Sequence, residues 1–126
     1  MDDRSSLSAA ELAALRFTLQ ARLALALGVT LACASKATLN SWAAVTAALA
    51  SLSRALGWNV RSLSIVAGPA RAAKQVEAAL DGIEDYVRHR EGERAHSDRA
   101  NVIRRELAAV RVALDRARSS TERSAA

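Results

Sequence analysis

Residues 38–57 read Thr-Leu-Asn-Ser-Trp-Ala-Ala-Val-Thr-Ala-Ala-Leu-Ala-Ser-Leu-Ser-Arg-Ala-Leu-Gly. Within them Trp42, Val45, Leu49, Leu52 and Leu56 recur at alternating steps of three and four, which is one face of a helix with a period near 3.5. Ala43, Ala44, Ala47, Ala48, Ala50 and Ala55 flank that face, so neighbouring helices can approach closely. Gly57 follows the last apolar position, where a left-handed residue ends a helix at least steric cost. A helix is therefore expected from Thr38 or Leu39 to Leu56.

The same stepping recurs on both sides. Ser8-Ala9-Ala10-Glu11 has capping-box spacing, so a first helix should start there. Its stripe is Leu12, Leu15, Leu19, Leu23, Ala26 and Thr30. Leu25, Leu27, Val29 and Leu31 lie off that line, which makes the helix apolar around most of its circumference after Arg22. Gly68-Pro69 is the strongest punctuation, since proline suits the first position of a helix. From Pro69 to about Arg90 the stripe is Ala73, Val76, Leu80, Ile83 and Val87. A last helix from about Ser97 to Arg118 carries Ile103, Leu107, Val110, Leu114 and Ala117. Residues 88–96 are almost wholly polar and break the phase between these two stripes. That predicts an antiparallel hairpin, with one long bent helix as the competing reading. Residues 58–67 are ambiguous: Val60, Leu63 and Val66 favour a short helix, Leu63 and Ile65 a short extended piece. Helix is the expectation.

Composition agrees. The chain has 126 residues, 51% hydrophobic and 3% aromatic, with five glycines and one proline. That apolar content excludes a disordered chain, and so few turn residues exclude an all-β sandwich or barrel. The one cysteine, Cys33, excludes an internal disulfide or a cysteine-based zinc site and reads as a core thiol in its apolar run. The fold class expected is all-α: a small bundle of four to five helices with a C-terminal antiparallel helical hairpin. Its parts are a flexible lead (1–7), an apolar, acid-poor helical region (8–67), the hairpin (68–118) and a disordered tail (119–126).

The net charge of +5 is unevenly placed. No acid occurs between Leu12 and Val76, whereas Arg16, Arg22, Lys36, Arg54, Arg61, Arg71 and Lys74 lie there. Residues 77–126 hold ten basic and ten acidic groups. A long acid-free stretch suggests contact with an anionic partner such as nucleic acid; the plainer alternative is a helical pair carrying a few solubilising arginines.

Sites with chemistry are few. Residues 24–42 carry pieces that resemble a helix-turn-helix, with Gly28-Val29-Thr30 as the end of the first helix and its turn and Ser35–Trp42 as the reading helix, Leu39 and Trp42 facing inward, although residues 31–34 lengthen the turn beyond the usual three or four. That resemblance implies Ser35, Lys36, Asn40 and Arg54 at phosphates or base edges. Aromatic stacking has little support in the sequence, because Phe17, Trp42, Trp58 and Tyr86 sit in no arginine cluster. Arg90 and His96 have a spacing similar to the Arg-x(4–6)-His signature of HEPN-type ribonucleases, in a chain rich enough in arginine to meet it by chance. His89 and His96 are not spaced as a helical metal pair. Glu77, Asp81, Glu84 and Asp85 read as a solvated face opposite Arg99, Arg104, Arg105 and Arg111. There is no Gly-rich phosphate loop and no Ser/His/Asp arrangement. No enzyme and no cofactor or metal is expected.

The favoured expectation is a non-enzymatic assembly protein, a homo-oligomer joined through its apolar stripes: Trp42, Val45, Leu49, Leu52 and Leu56; Val76, Leu80, Ile83 and Val87; Ile103, Leu107, Val110 and Leu114. Its motive is more apolar helix face than one copy is expected to bury. The alternative is an oligomeric nucleic-acid-binding protein whose layout resembles phage small-terminase subunits and some small regulators. In it Arg16, Arg22, Ser35, Lys36, Asn40, Arg54 and Arg61 meet the nucleic acid. A membrane-associated helical protein is a further alternative. However, the uncharged runs 23–35 and 37–53, of 13 and 17 residues, fall short of the ~20 needed to span. No signal peptide is recognisable, and a cytoplasmic location is expected.

Overall fold

The structure, a computed structural model, describes residues 7–91 and 98–125. Four helices dominate it: α1 (Ala9–Leu27), α2 (Lys36–Leu56), α3 (Pro69–Glu91) and α4 (Asp98–Ala125). Between them lie two three-residue strands, β1 (Val29–Leu31) and β2 (Ile65–Ala67). The all-α class and the C-terminal hairpin stand.

Local chemistry sets the helix boundaries. The Ser8 hydroxyl accepts from the Glu11 backbone N–H at 3.1 Å, and the Ser8 N–H donates back to the Glu11 carboxylate at 3.0 Å. This is the expected capping box. The Ser8 backbone and side-chain hydrogen bonds hold the Glu11 carboxyl below its ordinary range. α2 begins at Lys36, two residues earlier than the apolar stripe suggests, because Ser35 caps it by accepting from Thr38 N–H at 3.2 Å. Gly57 closes α2 with φ 72°. Arg99 of α4 reaches across to donate to the Leu56 carbonyl at 3.2 Å, which satisfies one of the open carbonyls at that helix end.

Two expectations near α1 are corrected. The helix stops at Leu27, before Thr30, and residues 58–67 are not helical: 58–64 form an irregular segment that leads into β2. β1 and β2 pair in parallel, with Val29 opposite Ile65, Thr30 opposite Val66 and Leu31 opposite Ala67. Parallel neighbours need a crossover connection, and α2 supplies it. The cause lies in contacts distant in sequence. Ala24 O, at the open end of α1, accepts from both Gly28 N–H and Leu63 N–H, and Gly28 O accepts from Ile65 N–H. Gly28 permits this approach: a Cβ there would lie 1.9 Å from the Leu63 carbonyl oxygen. Val29, Thr30, Ile65 and Val66 are β-branched and suit strands.

α3 starts with Pro69 as expected. At Gly82 the missing side chain leaves room for Leu19 of α1, whose Cδ2 would lie 2.4 Å from a Cβ. α3 and α4 run antiparallel, since Glu77 pairs with Arg118 and Glu84 with Arg111. Seven residues forward on one helix match seven back on the other. α4 continues to Ala125, where a disordered tail was expected over 119–126. Ser120 is buried, 2.8 Å from the hydroxyl of Ser41 on α2, and Thr121 donates to Ala117 O. These contacts carry the helix past the last apolar stripe position. Residues 1–6 of the expected lead and Ala126 lie outside the described residues.

The three stripes meet inside one chain. Trp42, Val45, Leu49, Leu52 and Leu56 of α2 are buried, as are Val76, Leu80, Ile83 and Val87 of α3 and Ile103, Leu107, Val110 and Leu114 of α4. With Leu19, Leu23 and Ala26 of α1 they form a single cluster. The stripes named as oligomer or core positions are thus the core of the protomer. Among the described residues the large apolar side chains left exposed are Phe17, Leu39, Leu63, Val66, Val102 and Val112. Leu39 therefore faces out, contrary to expectation, while Trp42 beside it faces in.

Candidate nucleic-acid interface

The acidic face of α3 is occupied from within the hairpin. Arg111 donates to Asp81 at 2.9 Å and to Glu84 at 2.8 Å, and Arg118 donates to Glu77. Arg88 and His89 lie against Asp85. The hydrogen bond from Arg111 to Asp81 raises the guanidinium pKa, and Glu84 adds to it, against the opposing effect of partial burial. Of the arginines expected opposite these acids, only Arg111 pairs with them. Arg99 caps α2, Arg104 donates to Asn101, and Arg105 points to solvent.

The seven cations of residues 12–76 behave differently. Arg16, Arg22, Lys36, Arg54, Arg61, Arg71 and Lys74 are all exposed, and none pairs with a described acid. They do not form one cluster. Arg16 and Arg22 stand on α1, with a guanidinium nitrogen of Arg22 near Gly82 of α3. Lys36 and Arg54 mark opposite ends of α2. Arg61 lies on the irregular segment before β2, and Arg71 and Lys74 on the opening turns of α3.

The helix-turn-helix reading is not what the backbone builds. Eight residues, including β1, separate α1 from α2. Ser35 uses its hydroxyl in the α2 cap and also contacts the Thr38 hydroxyl. α2 packs most heavily on α4, and of its opening turns only Lys36, Ala37, Leu39 and Asn40 remain open to solvent. Cys33, expected in the core, is exposed in the β1–α2 connection. His96 and the side chain of Arg90 lie outside the described residues.

The irregular segment creates a feature that helical periodicity does not show. As residues 59–63 run along α1 they form a groove of about 240 Å³, lined by Phe17, Gln20, Ala21 and Ala24 on one side and Asn59, Val60 and Arg61 on the other. Phe17 is 75% exposed, the most open of the large apolar side chains. An aromatic ring, one guanidinium and two primary amides thus share one shallow concavity, with Arg16 adjacent in sequence and Ser62 and Ser64 exposed at its edge. An aromatic face accepts a stacked base, a guanidinium matches a phosphate, and an amide offers both a donor and an acceptor to a base edge. Only Arg61 of this set was among the expected contact residues. Phe17 carried a signal, because it falls between Leu15 and Leu19, off the buried stripe of α1. Gln20 and Asn59 carried none.

Among the described residues no three His, Cys, Asp or Glu side chains are placed to hold a metal ion. No described helix is long and apolar enough to cross a membrane. Comparisons with protein-family models, with curated proteins and with solved structures find no match to the chain.

Proposed function

We propose that this protein is a non-enzymatic binding module for single-stranded nucleic acid. A base stacks on Phe17, Arg61 meets the adjoining phosphate, and the amides of Gln20 and Asn59 contact the base edge. The observation that carries this reading is the largely exposed ring of Phe17 in one groove with Arg61, inside a 65-residue stretch that contains no acid. The cations elsewhere on residues 12–76, none of them paired with a described acid, support it by supplying a positive field. Single strands are favoured over duplex because the ring needs an unstacked base.

Fluorescence anisotropy with a labelled single-stranded oligonucleotide, in low salt, tests the proposal. Binding is expected, and Phe17→Ala and Arg61→Ala should each weaken it by roughly tenfold, since a stacked base contributes about 1–3 kcal/mol. No binding at low salt, or Phe17→Ala binding as tightly as the parent, overturns it.

A further inference from the structure

The buried stripe of α4 has a counterpart on the opposite side of the helix. Asp98, Val102, Arg105, Ala109, Val112, Arg116 and Ser119 follow one another at steps of four and three, and every one is exposed. Val102 and Val112 rank among the few large apolar side chains that the fold leaves open, at 40% and 51% exposure. A stripe of this period forms the seam of a two-stranded coiled coil where its positions are apolar, as Val102, Ala109 and Val112 are at the middle of this one. Taken as a heptad, Val102, Ala109 and Arg116 occupy one core position (a), and Asp98, Arg105 and Val112 the other (d).

Two antiparallel copies of such a seam form layers in which position a of one chain faces position d of the other. One register brings the six positions from Asp98 to Arg116 into complementary pairs. Val102 faces Val112 of the second copy, Ala109 faces Arg105, and Arg116 faces Asp98. The apolar residues meet each other, the terminal charges are opposite, and the long arginine stem lies over an alanine with its guanidinium free to reach water. Neither Asp98 nor Arg116 has an ion-pair partner among the described residues. Each layer occurs twice about a twofold axis, as an isologous dimer requires.

We infer that the outer face of α4 is a homodimer interface, an antiparallel helix pair in this register. The inference is independent of nucleic-acid binding, which uses α1 and the segment before β2. It is tested in the full chain carrying Cys33→Ser. Val102→Cys with Val112→Cys places thiols opposite each other in both valine layers, so oxidised glutathione should yield a covalent dimer on a non-reducing gel. Val102→Cys or Val112→Cys alone should cross-link far less, because the two equivalent thiols then lie about 15 Å apart along the pair, too far for a disulfide. In light scattering, Asp98→Arg and Arg116→Asp should each weaken dimerisation roughly tenfold by placing like charges together. The combined variant should restore it. Far-UV circular dichroism separates loss of dimer from loss of fold. A monomer mass for the parent chain at high micromolar concentration overturns the inference. So does cross-linking of either single-cysteine variant as efficient as that of the pair, or failure of the combined charge variant to recover.

Discussion

Residues 12–76 and the α3–α4 hairpin treat charge in opposite ways. In the hairpin, Arg111 and Arg118 of α4 lie against Asp81, Glu84 and Glu77 of α3, and Arg88 lies against Asp85. In the first region seven cations stand in solvent with no described acid beside them. The backbones differ in the same sense. The hairpin is two regular helices joined along buried stripes. The first region holds a parallel strand pair and an irregular segment that leaves polar side chains along a groove. The hairpin thus sets several of its arginines against its own acids, whereas the cations ahead of Glu77 meet no described acid. It is for this second set that a partner of opposite charge is proposed.

The largest way to break this contrast is through the core. Leu80→Ala should cost about 4 kcal/mol by leaving a cavity in the shared cluster, read as a fall in the midpoint of urea unfolding. Oligonucleotide affinity per folded molecule should not change. Gly28→Val should cost about 3 kcal/mol, because its side chain collides with the Leu63 backbone rather than with a movable side chain. Unlike Leu80→Ala, it should also abolish oligonucleotide binding at temperatures where the chain remains helical, since residues 59–63 lose their seat on α1.

Paired arginine variants sharpen the comparison further. Arg118→Ala removes a half-exposed ion pair and should lower stability by about 0.5 kcal/mol, an effect that fades in high salt. Arg61→Ala should leave stability unchanged and weaken oligonucleotide binding. The smallest effect belongs to the α1 cap. The Glu11 carboxyl is held below its ordinary range in the folded chain, so its stabilising contribution is complete above the unfolded carboxyl range. It is lost as pH falls through the lower, folded value. Glu11→Gln should remove this part of the acid sensitivity, seen as a flatter dependence of melting temperature on pH below neutrality.

The helical frame was legible because it rests on local signals. Ser8 and Glu11, Gly57, Pro69 and the stripes of three- and four-residue steps each act within a turn or two of the chain. The strand pair was not legible, because it depends on Leu63 and Ile65 meeting Ala24 and Gly28 across about forty residues of sequence. Residues 58–67, with apolar positions that fit either period, give no local indication of that meeting. The groove inherits the same difficulty, since one wall is the misread segment. The length of α4 was underread for a related reason: Ser120 is buried by Ser41, a contact that periodicity cannot register. Two parts of the groove were open to detection: Arg61 as a cation of the acid-free stretch, and Phe17 as an aromatic off the buried face.

The most direct measurement is the salt dependence of oligonucleotide affinity for three proteins: the parent chain, Arg16→Ala with Arg61→Ala, and Arg88→Ala with Arg111→Ala. Each phosphate contact on a single strand contributes about 0.7 to the slope of log affinity against log salt. Loss of the two open cations should flatten that slope by more than one. Loss of the two hairpin arginines should leave it as in the parent. Equal slopes for all three proteins, or flattening only in the hairpin variant, contradict the assignment of the acid-free region as the nucleic-acid-binding surface.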